Sequence, residues 1–183
     1  CTQAKALSEK INYKRGTAAI LGWLGYLYGT EGKLDVTMDL YARSIPLLKE
    51  LGDQMALATT YLNMGSVYGD QGDIPKCIEY SHMALEVYRK LKDKRGESFV
   101  LNNLAGPYQD LGEVKKAGEY LEKSLKIRLE LKDRDAIAES YNNLGNYYEL
   151  VTKDVGKSLE YFSKSYEAYK VLNNKRGMSY SLG

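Results

Sequence analysis

The sequence predicts an all-α protein built as an array of antiparallel helix pairs, with no β-sheet. The first observation is an internal repeat of 40 residues, which places tyrosines at equivalent points along the chain: Tyr28, Tyr68, Tyr108 and Tyr148. The second is the three- and four-residue spacing of apolar residues inside each repeat, which is typical of one face of an α-helix. The third is the lack of sustained alternation of apolar and polar residues, which a half-buried strand would show.

The repeat period divides the chain into successive segments. We predict a half repeat formed by a second helix at 1–13, full repeats at 14–53, 54–93, 94–133 and 134–174, and the start of a further repeat at 175–183. The fourth full repeat is one residue longer, because an insertion falls between Tyr148 and Tyr161. Since the division begins and ends inside repeats, we expect the chain to be a fragment of a longer array.

The second full repeat illustrates how each helix pair is predicted. Its first helix spans about 54–70, and Asp53 precedes it as an N-cap that accepts a hydrogen bond from a free backbone N–H. Gly72 marks the turn. The second helix spans about 74–91, with Pro75 tolerated in its first turn.

Small residues recur where the helices are expected to approach each other. They are Gly25, Gly65, Ala105 and Gly145 in the first helices, and Thr37, Cys77, Ala117, Ser158, Ser44, Ala84, Ser124 and Ser165 in the second helices. Small side chains at fixed points let two helix axes come close, while larger neighbours fill the adjacent space. Seventeen tyrosines against two phenylalanines fit this arrangement, because each ring can be buried while its hydroxyl stays at a wet edge.

This pattern resembles the tetratricopeptide repeat. The residues that carry the resemblance in the second full repeat are Tyr61, Met64, Gly65, Tyr68, Gly72, Cys77, Tyr80, Ala84 and Leu85. The period is longer than is usual for the family and is similar to that of adaptor proteins and of bacterial signalling kinases that contain such repeats. The resemblance implies a right-handed superhelical solenoid whose first helices line a concave groove.

Composition and motifs argue against catalysis. Two cysteines and one histidine cannot supply a structural zinc site, and no phosphate-binding loop or nucleophile motif is present. His82, in a second helix, is expected to face solvent, and Cys77 occupies a small packing position. We therefore predict that the chain is not an enzyme and needs no cofactor. The net charge of +2 and the lack of a long apolar run lead us to expect neither a nucleic-acid partner nor direct membrane contact.

The groove carries the functional hypothesis. The resemblance implies that the amides of Asn63, Asn103 and Asn143 face the groove and hold the main chain of an extended peptide. The candidate peptide-binding residues are Trp23, Tyr26, Asn63, Ser66, Asp70, Asn102, Asn103, Asp110, Glu139, Asn142, Asn143, Asn146 and Glu149. Two alternatives stay open: the asparagines bond only to a neighbouring repeat, and Trp23 packs in the core instead of forming an exposed anchor pocket with Tyr26.

The charges of the first helices indicate which ligand is preferred. The segments 18–30, 58–70, 98–110 and 138–150 contain no lysine or arginine. Their charged residues are Asp70, Asp110, Glu139 and Glu149. We therefore predict a mildly acidic groove that favours neutral or basic peptides. The cationic residues with which some members of the family grip a terminal carboxylate are absent, which disfavours acidic C-termini as ligands.

The function predicted from the sequence is a non-catalytic module that binds a protein or peptide segment in its groove, within a larger signalling or adaptor protein. The alternative is a structural spacer or oligomerisation array with no groove ligand. End-to-end self-association of the fragment is a further expectation, because half repeats leave apolar faces uncovered. The compartment is not determined by the sequence; we expect the cytoplasm and leave the bacterial periplasm open.

Overall fold

The computed structural model describes residues 2–181, and their side chains from residue 13 onward. Within that range the chain is helical and contains no strand, which confirms the predicted fold class. The helices are α1 (Thr2–Thr30), α2 (Leu34–Leu51), α3 (Gln54–Asp70), α4 (Ile74–Lys90), α5 (Lys94–Asp110), α6 (Val114–Leu131), α7 (Arg134–Asn146), α8 (Val155–Val171) and α9 (Lys175–Tyr180). They form two compact units, Cys1–Leu91 and Lys92–Gly183.

Each unit is built from helix pairs joined by short turns. In the first unit α1 pairs with α2 and α3 pairs with α4, while α3 also packs against α2. In the second unit α5 pairs with α6 and α7 with α8, with α7 against α6 and the short α9 against α8. Because a turn of two or three residues reverses the chain, the members of a pair are antiparallel. The packing predicted for the half repeat at 1–13 lies outside the described side chains.

The predicted N-cap Asp53 is confirmed, and residues at equivalent positions of the other repeats cap their helices in the same way. Each capping side chain accepts a hydrogen bond from the backbone N–H three residues later: Asp53 from Ala56, Asp93 from Gly96, Asp133 from Ala136 and Asn174 from Gly177. Asp73 and Asp154 cap the second helices α4 and α8 in the same way, which the sequence analysis did not predict. These caps accept hydrogen bonds from free backbone N–H groups at the starts of first helices and of second helices.

The small residues of the second helices are buried where helices meet. Thr37, Ser44, Ala84 and Ala117 are 0% exposed. In the second unit Ser124 Oγ donates to the carbonyl oxygen of Ser98 at 2.8 Å, which ties α6 to α5. The predicted close approach of the helix axes is confirmed at these positions.

Stacked tyrosines join the two helices of three pairs. The ring centroids of Tyr68 and Tyr80 are 5.2 Å apart, those of Tyr108 and Tyr120 5.1 Å, and those of Tyr148 and Tyr161 5.4 Å. A lysine ammonium lies over the first ring of each stack: Lys76, Lys116 and Lys157. The tyrosine-rich composition therefore serves the packing of helix pairs.

Two Lys-Arg-Gly sequences lie inside helices. Residues 14–16 lie within α1, which continues through them as one helix. Lys94 and Arg95 begin α5. Cations are unfavourable at a helix N-terminus. Nearby carboxylates offset this, since Lys94 pairs with Glu97 at 2.8 Å and Arg95 with Asp133 at 3.2 Å.

The extra residue of the fourth repeat is absorbed by a π-helical turn, Tyr147–Val151, which follows α7. The N–H of Thr152 donates to the carbonyl oxygen of Tyr147 at 3.2 Å, a bond that skips one more residue than in an α-helix. Lys153 then adopts φ +60°, where the earlier first helices end at glycines with φ between 73° and 78°. The turn into α8 is therefore irregular where the sequence carries the insertion.

Candidate functional site

A cleft of about 450 Å³ opens between α1, α2 and α3 of the first unit. Ala18, Ala19 and Gly22 line it from α1, and Ala56 and Thr59 line it from α3. These small side chains leave the space between the two first helices unfilled. The cleft therefore exists because α1 and α3 carry small side chains on the faces that line it.

Trp23 and Tyr26 stand at the rim of this apolar cleft. Their side chains are 70% and 58% exposed, so the alternative that Trp23 packs in the core is wrong. Arg15 and Asp53 are the charged residues that line the cleft, and Asp53 is occupied as the N-cap of α3. The cleft thus offers a large aromatic surface with little charge, which is typical of a site that takes an apolar side chain.

Tyr41 of α2 forms part of the lining. It is 2% exposed, and an ideal Cβ on Gly25 would lie 2.6 Å from its ring, so only glycine leaves room for that ring in its present position. Burial raises the pKa of the Tyr41 hydroxyl, and a hydrogen bond from the Asn63 side chain partly opposes that rise. Asn63 is therefore engaged with its own unit rather than fully available to a ligand.

A smaller pocket of about 210 Å³ adjoins the cleft and shares three of its residues. The shared residues are Tyr26, Tyr41 and Asn63. Ser66 and Asp70 of α3 line the smaller pocket, and both are exposed. The structure therefore brings together the five predicted site residues of the first unit: Trp23, Tyr26, Asn63, Ser66 and Asp70.

The second unit contains a different kind of cavity, with a volume of about 320 Å³, between α5, α6, α7 and the π-helical turn. Five carboxamide side chains line it: Asn102, Asn103, Gln109, Asn143 and Asn146. None of its lining residues is charged. Carboxamides offer both donors and acceptors, so the cavity is suited to an uncharged polar group such as a peptide main chain.

Three of these carboxamides are linked by hydrogen bonds, since Asn102 Nδ2 also donates to Asn103 Oδ1 at 3.4 Å. Asn143 Nδ2 donates to Asn102 Oδ1 at 2.9 Å, and Asn102 is only 8% exposed. The alternative that asparagines bond to a neighbouring repeat therefore holds for this pair. Asn103 and Asn146 are exposed at the cavity. Asn142 does not line it, and its buried Oδ1 has no partner among the described residues.

Two backbone features border the carboxamide cavity. Pro107 lies inside α5 and has no N–H, so the carbonyl oxygen of Asn103 lacks its usual intrahelical donor while the helix continues. On the opposite wall the π-helical turn contributes Leu150 and Val151. Turns of this kind often occur at functional sites, because they reorient side chains that a regular helix would direct elsewhere.

The four acidic residues of the first helices do not share one environment. Asp70 lines the small pocket of the first unit, and Asp110 is exposed at the end of α5. Glu149 lines a separate cleft beside α8 and not the carboxamide cavity. Glu139 lies 3.3 Å from Arg128 of α6, which compensates its charge. Glu139 therefore contributes less negative charge to the predicted acidic groove than an unpaired carboxylate would.

Arg128 is a buried cation that the sequence analysis missed. Its side chain is 3% exposed, and Nη1 lies 2.9 Å from both the Ala136 carbonyl oxygen and Ser140 Oγ. Burial lowers the pKa of the guanidinium, and the Glu139 carboxylate opposes that change. One signal was present in the sequence: Leu48 and Tyr88 occupy the equivalent positions, so a cation broke the apolar pattern.

The described residues show little that would support other chemistry. No three histidine, cysteine, aspartate or glutamate side chains are grouped there as metal ligands would be. No described helix combines the length and apolarity that crossing a bilayer requires. His82 was expected to face solvent and is instead partly buried, and Cys77 is buried as predicted.

The family is recognisable in the second unit. Residues 97–171 match the sequence profile of the tetratricopeptide repeat. This segment therefore carries tetratricopeptide repeats. The matched segment runs from α5 to the end of α8, and the 40-residue period carries the same pattern of tetratricopeptide residues through the first unit. No curated protein sequence is detectably similar to this chain.

Solved structures share the tetratricopeptide fold at low sequence identity. A signal transduction ATPase of the STAND class with a tetratricopeptide repeat sensor, from Pyrococcus horikoshii, matches 90% of this chain with a TM-score of 0.81 and 20% identity. Aspartyl phosphate phosphatase F from Bacillus subtilis matches 90% with a TM-score of 0.82 and 14% identity. A Rap protein complexed with competence and sporulation factor matches 94% with a TM-score of 0.72 and 19% identity.

The chain is short relative to these structures. It spans 25% of the STAND protein, 43% of the phosphatase and 50% of the Rap protein. At this level of identity the comparison establishes the fold, and the activities of those proteins are their own.

Proposed function

We propose that this chain is a non-catalytic module that binds an extended segment of a partner protein, and that it works as part of a larger signalling or adaptor protein. The observation that carries the proposal is the carboxamide cavity of the second unit. Exposed Asn103 and Asn146 face a space of about 320 Å³ that no charged side chain lines. A peptide main chain has the alternating donors and acceptors that such amides can satisfy.

The fold relatives support the proposal. The Rap protein of similar fold is complexed with competence and sporulation factor, and the STAND protein uses its tetratricopeptide repeats as a sensor. A preformed helical scaffold loses little conformational freedom when it binds, so most of the ordering cost falls on the bound segment. Binding of a flexible segment therefore suits this architecture.

The test is a random-peptide display library selected against the chain, followed by affinity measurements on the selected peptides. We expect Asn103→Ala and Asn146→Ala to weaken binding by about fivefold or more each, since each removes a hydrogen bond to the ligand. The matched control is Gln71→Ala, which removes an exposed carboxamide that lines none of the described cavities.

If the amides bind the peptide main chain, a second result is expected with the same peptides. N-methylation of one peptide bond should abolish binding at the position that meets the amides, while alanine substitution of the neighbouring side chain should have little effect. A chain that selects no peptide at all would be the structural spacer of the alternative reading. Selected peptides that ignore both asparagine changes would contradict the role of the cavity.

A further inference from the structure

The first unit holds two adjoining cavities with different chemistry. The larger cleft is apolar and is bordered by the exposed rings of Trp23 and Tyr26. The smaller pocket shares Tyr26 with it and is lined by the exposed carboxylate of Asp70. A ligand that spans both cavities would contact an aromatic surface in the larger cleft and a negative charge in the smaller pocket.

The smaller pocket is suited to a cation. Asp70 is its one charged lining residue, and no lysine or arginine lines it. Gly29 and Thr30, which also line it, are the last residues of α1, and Asp70 is the last residue of α3. Both helix C-termini carry partial negative charge, which adds to the carboxylate. The potential in this pocket is therefore negative from three independent sources.

The neighbouring cations do not neutralise this pocket. Lys33 follows α1 but pairs with Glu31 at 2.8 Å and lies over the ring of Tyr28. Arg15 lines only the larger cleft and lies near the middle of α1, far from Thr30 at its C-terminal end. An incoming amine or guanidinium would thus find a carboxylate that no described lysine or arginine already occupies.

The larger cleft is suited to a bulky uncharged side chain. Its volume of about 450 Å³ exceeds that of the smaller pocket, and Ala18, Gly22 and Ala56 keep it open. An aromatic or long aliphatic side chain that enters it removes apolar surface of Trp23 and Tyr26 from water. A basic side chain would lose hydration there and find only the Asp53 carboxylate, which already accepts a hydrogen bond from the backbone N–H of Ala56.

We propose that the first unit recognises a peptide segment in which a large apolar side chain is followed or preceded within a few residues by a lysine or arginine. The apolar side chain occupies the cleft beside Trp23, and the basic side chain pairs with Asp70. This inference rests on the proposed function and names the class of segment that the first unit selects.

Trp23 provides a direct readout, because it is the only tryptophan in the 183 residues. We would select a random twelve-residue peptide library against the chain and against Asp70→Asn, at low and at high salt. Peptides from the unmodified chain should be enriched in an apolar residue close to a basic one. Their addition should shift the Trp23 emission to shorter wavelength and protect it from acrylamide quenching.

Peptides selected by the Asp70→Asn variant should no longer be enriched in basic residues, but they should still be enriched in apolar ones. Affinity for the basic peptides should fall about fivefold at low salt and less at high salt, because exposed charge pairs are modest and screened. Glu86→Gln is the matched control, since Glu86 is exposed on α4 and lines neither cavity. It should leave both preferences unchanged.

The outcomes separate this inference from the proposed function. If the selected peptides carry no basic residue, or if Asp70→Asn and Glu86→Gln have equal effects, the cation pocket is overturned while peptide binding stands. Binding that leaves the Trp23 emission unchanged would overturn the apolar cleft. A chain that selects no peptide would overturn the proposed function itself.

Discussion

The two units present different chemistry at equivalent positions of the repeat. In the first unit Trp23 and Tyr26 make an aromatic rim, whereas in the second unit Asn103, Asn143 and Asn146 occupy the corresponding positions of their helices. Yet both units keep small buried residues at the same positions, where the helices of a pair meet. The buried contacts therefore maintain the period, while the exposed faces of the first helices differ between the units.

The buried contacts are not identical either. Leu48 and Tyr88 fill a buried apolar position in the first unit, and Arg128 takes that position in the second. The second unit therefore depends on a buried cation where the first depends on apolar packing. Three predictions follow from this contrast, in order of decreasing effect.

Replacing Arg128 with alanine should reduce the free energy of unfolding by about 2 to 4 kcal/mol, because it removes a buried side chain together with its hydrogen bonds to the Ala136 carbonyl oxygen and Ser140 Oγ. Chemical denaturation followed by circular dichroism measures the loss. Arg95→Ala is the control: that side chain is 79% exposed in its pair with Asp133, so its loss should cost about 1 kcal/mol or less. Equal losses would show that Arg128 is dispensable.

Two glycines of α1 should respond in opposite directions to alanine. A Cβ on Gly25 would lie 2.6 Å from the buried Tyr41 ring, so Gly25→Ala should destabilise the protein by about 1 to 3 kcal/mol. A Cβ on Gly22 meets no atom within 4 Å, so Gly22→Ala should stabilise the helix by about 0.5 to 1 kcal/mol.

Thermal unfolding compares these two variants, and Trp23 fluorescence reports any change in the cleft. If Gly25→Ala left both the midpoint and the emission unchanged, Tyr41 would not be held as tightly as the structure indicates.

Alkaline pH should weaken the second unit through Tyr148. The pKa of Tyr148 is raised to about 12; burial is the largest cause, and the nearby Glu122 carboxylate is the second. Since an unfolded tyrosine titrates near 10, this contribution to stability is complete below about pH 10 and is lost as pH rises toward 12. The effect should be about 1 kcal/mol after allowance for solvent screening. The unfolding midpoint measured from pH 9 to 12 should fall less steeply in Tyr148→Phe.

The Glu122→Gln variant tests the electrostatic part of that effect. Tyr148 donates a hydrogen bond to Glu122 Oε1 at 3.4 Å, so neutralising the carboxylate removes one cause of the raised pKa. The unfolding midpoint of this variant should then fall with pH less steeply than that of the unmodified chain and more steeply than that of Tyr148→Phe. Identical slopes in all three proteins would rule out Tyr148 as the titrating group.

Local features of the fold could be predicted from the sequence because their causes are local. Asp53 and Asp93 precede helices and cap them, and Gly72 ends α3 with φ +78°. The one-residue insertion was also visible in the period, and the π-helical turn Tyr147–Val151 absorbs it.

The partners of the candidate site residues could not be predicted in the same way. Nothing in the spacing indicated that Asn143 would donate to Asn102, or that Arg128 would reach Glu139 across the junction of α6 and α7. Both contacts join different helices, and their existence depends on side-chain directions that a repeat period does not specify.

The sequence by itself determined the repeat, the helices and their caps, because periodic apolar positions and capping side chains act within a few residues of one another. The tertiary structure decided which side chains remained available for binding. It left Trp23 exposed at the rim of the cleft, and it buried Asn102, whose side chain accepts a hydrogen bond from Asn143 of the next first helix. Exposure is a property of the assembled helices, so residue type and position in the repeat could not settle it.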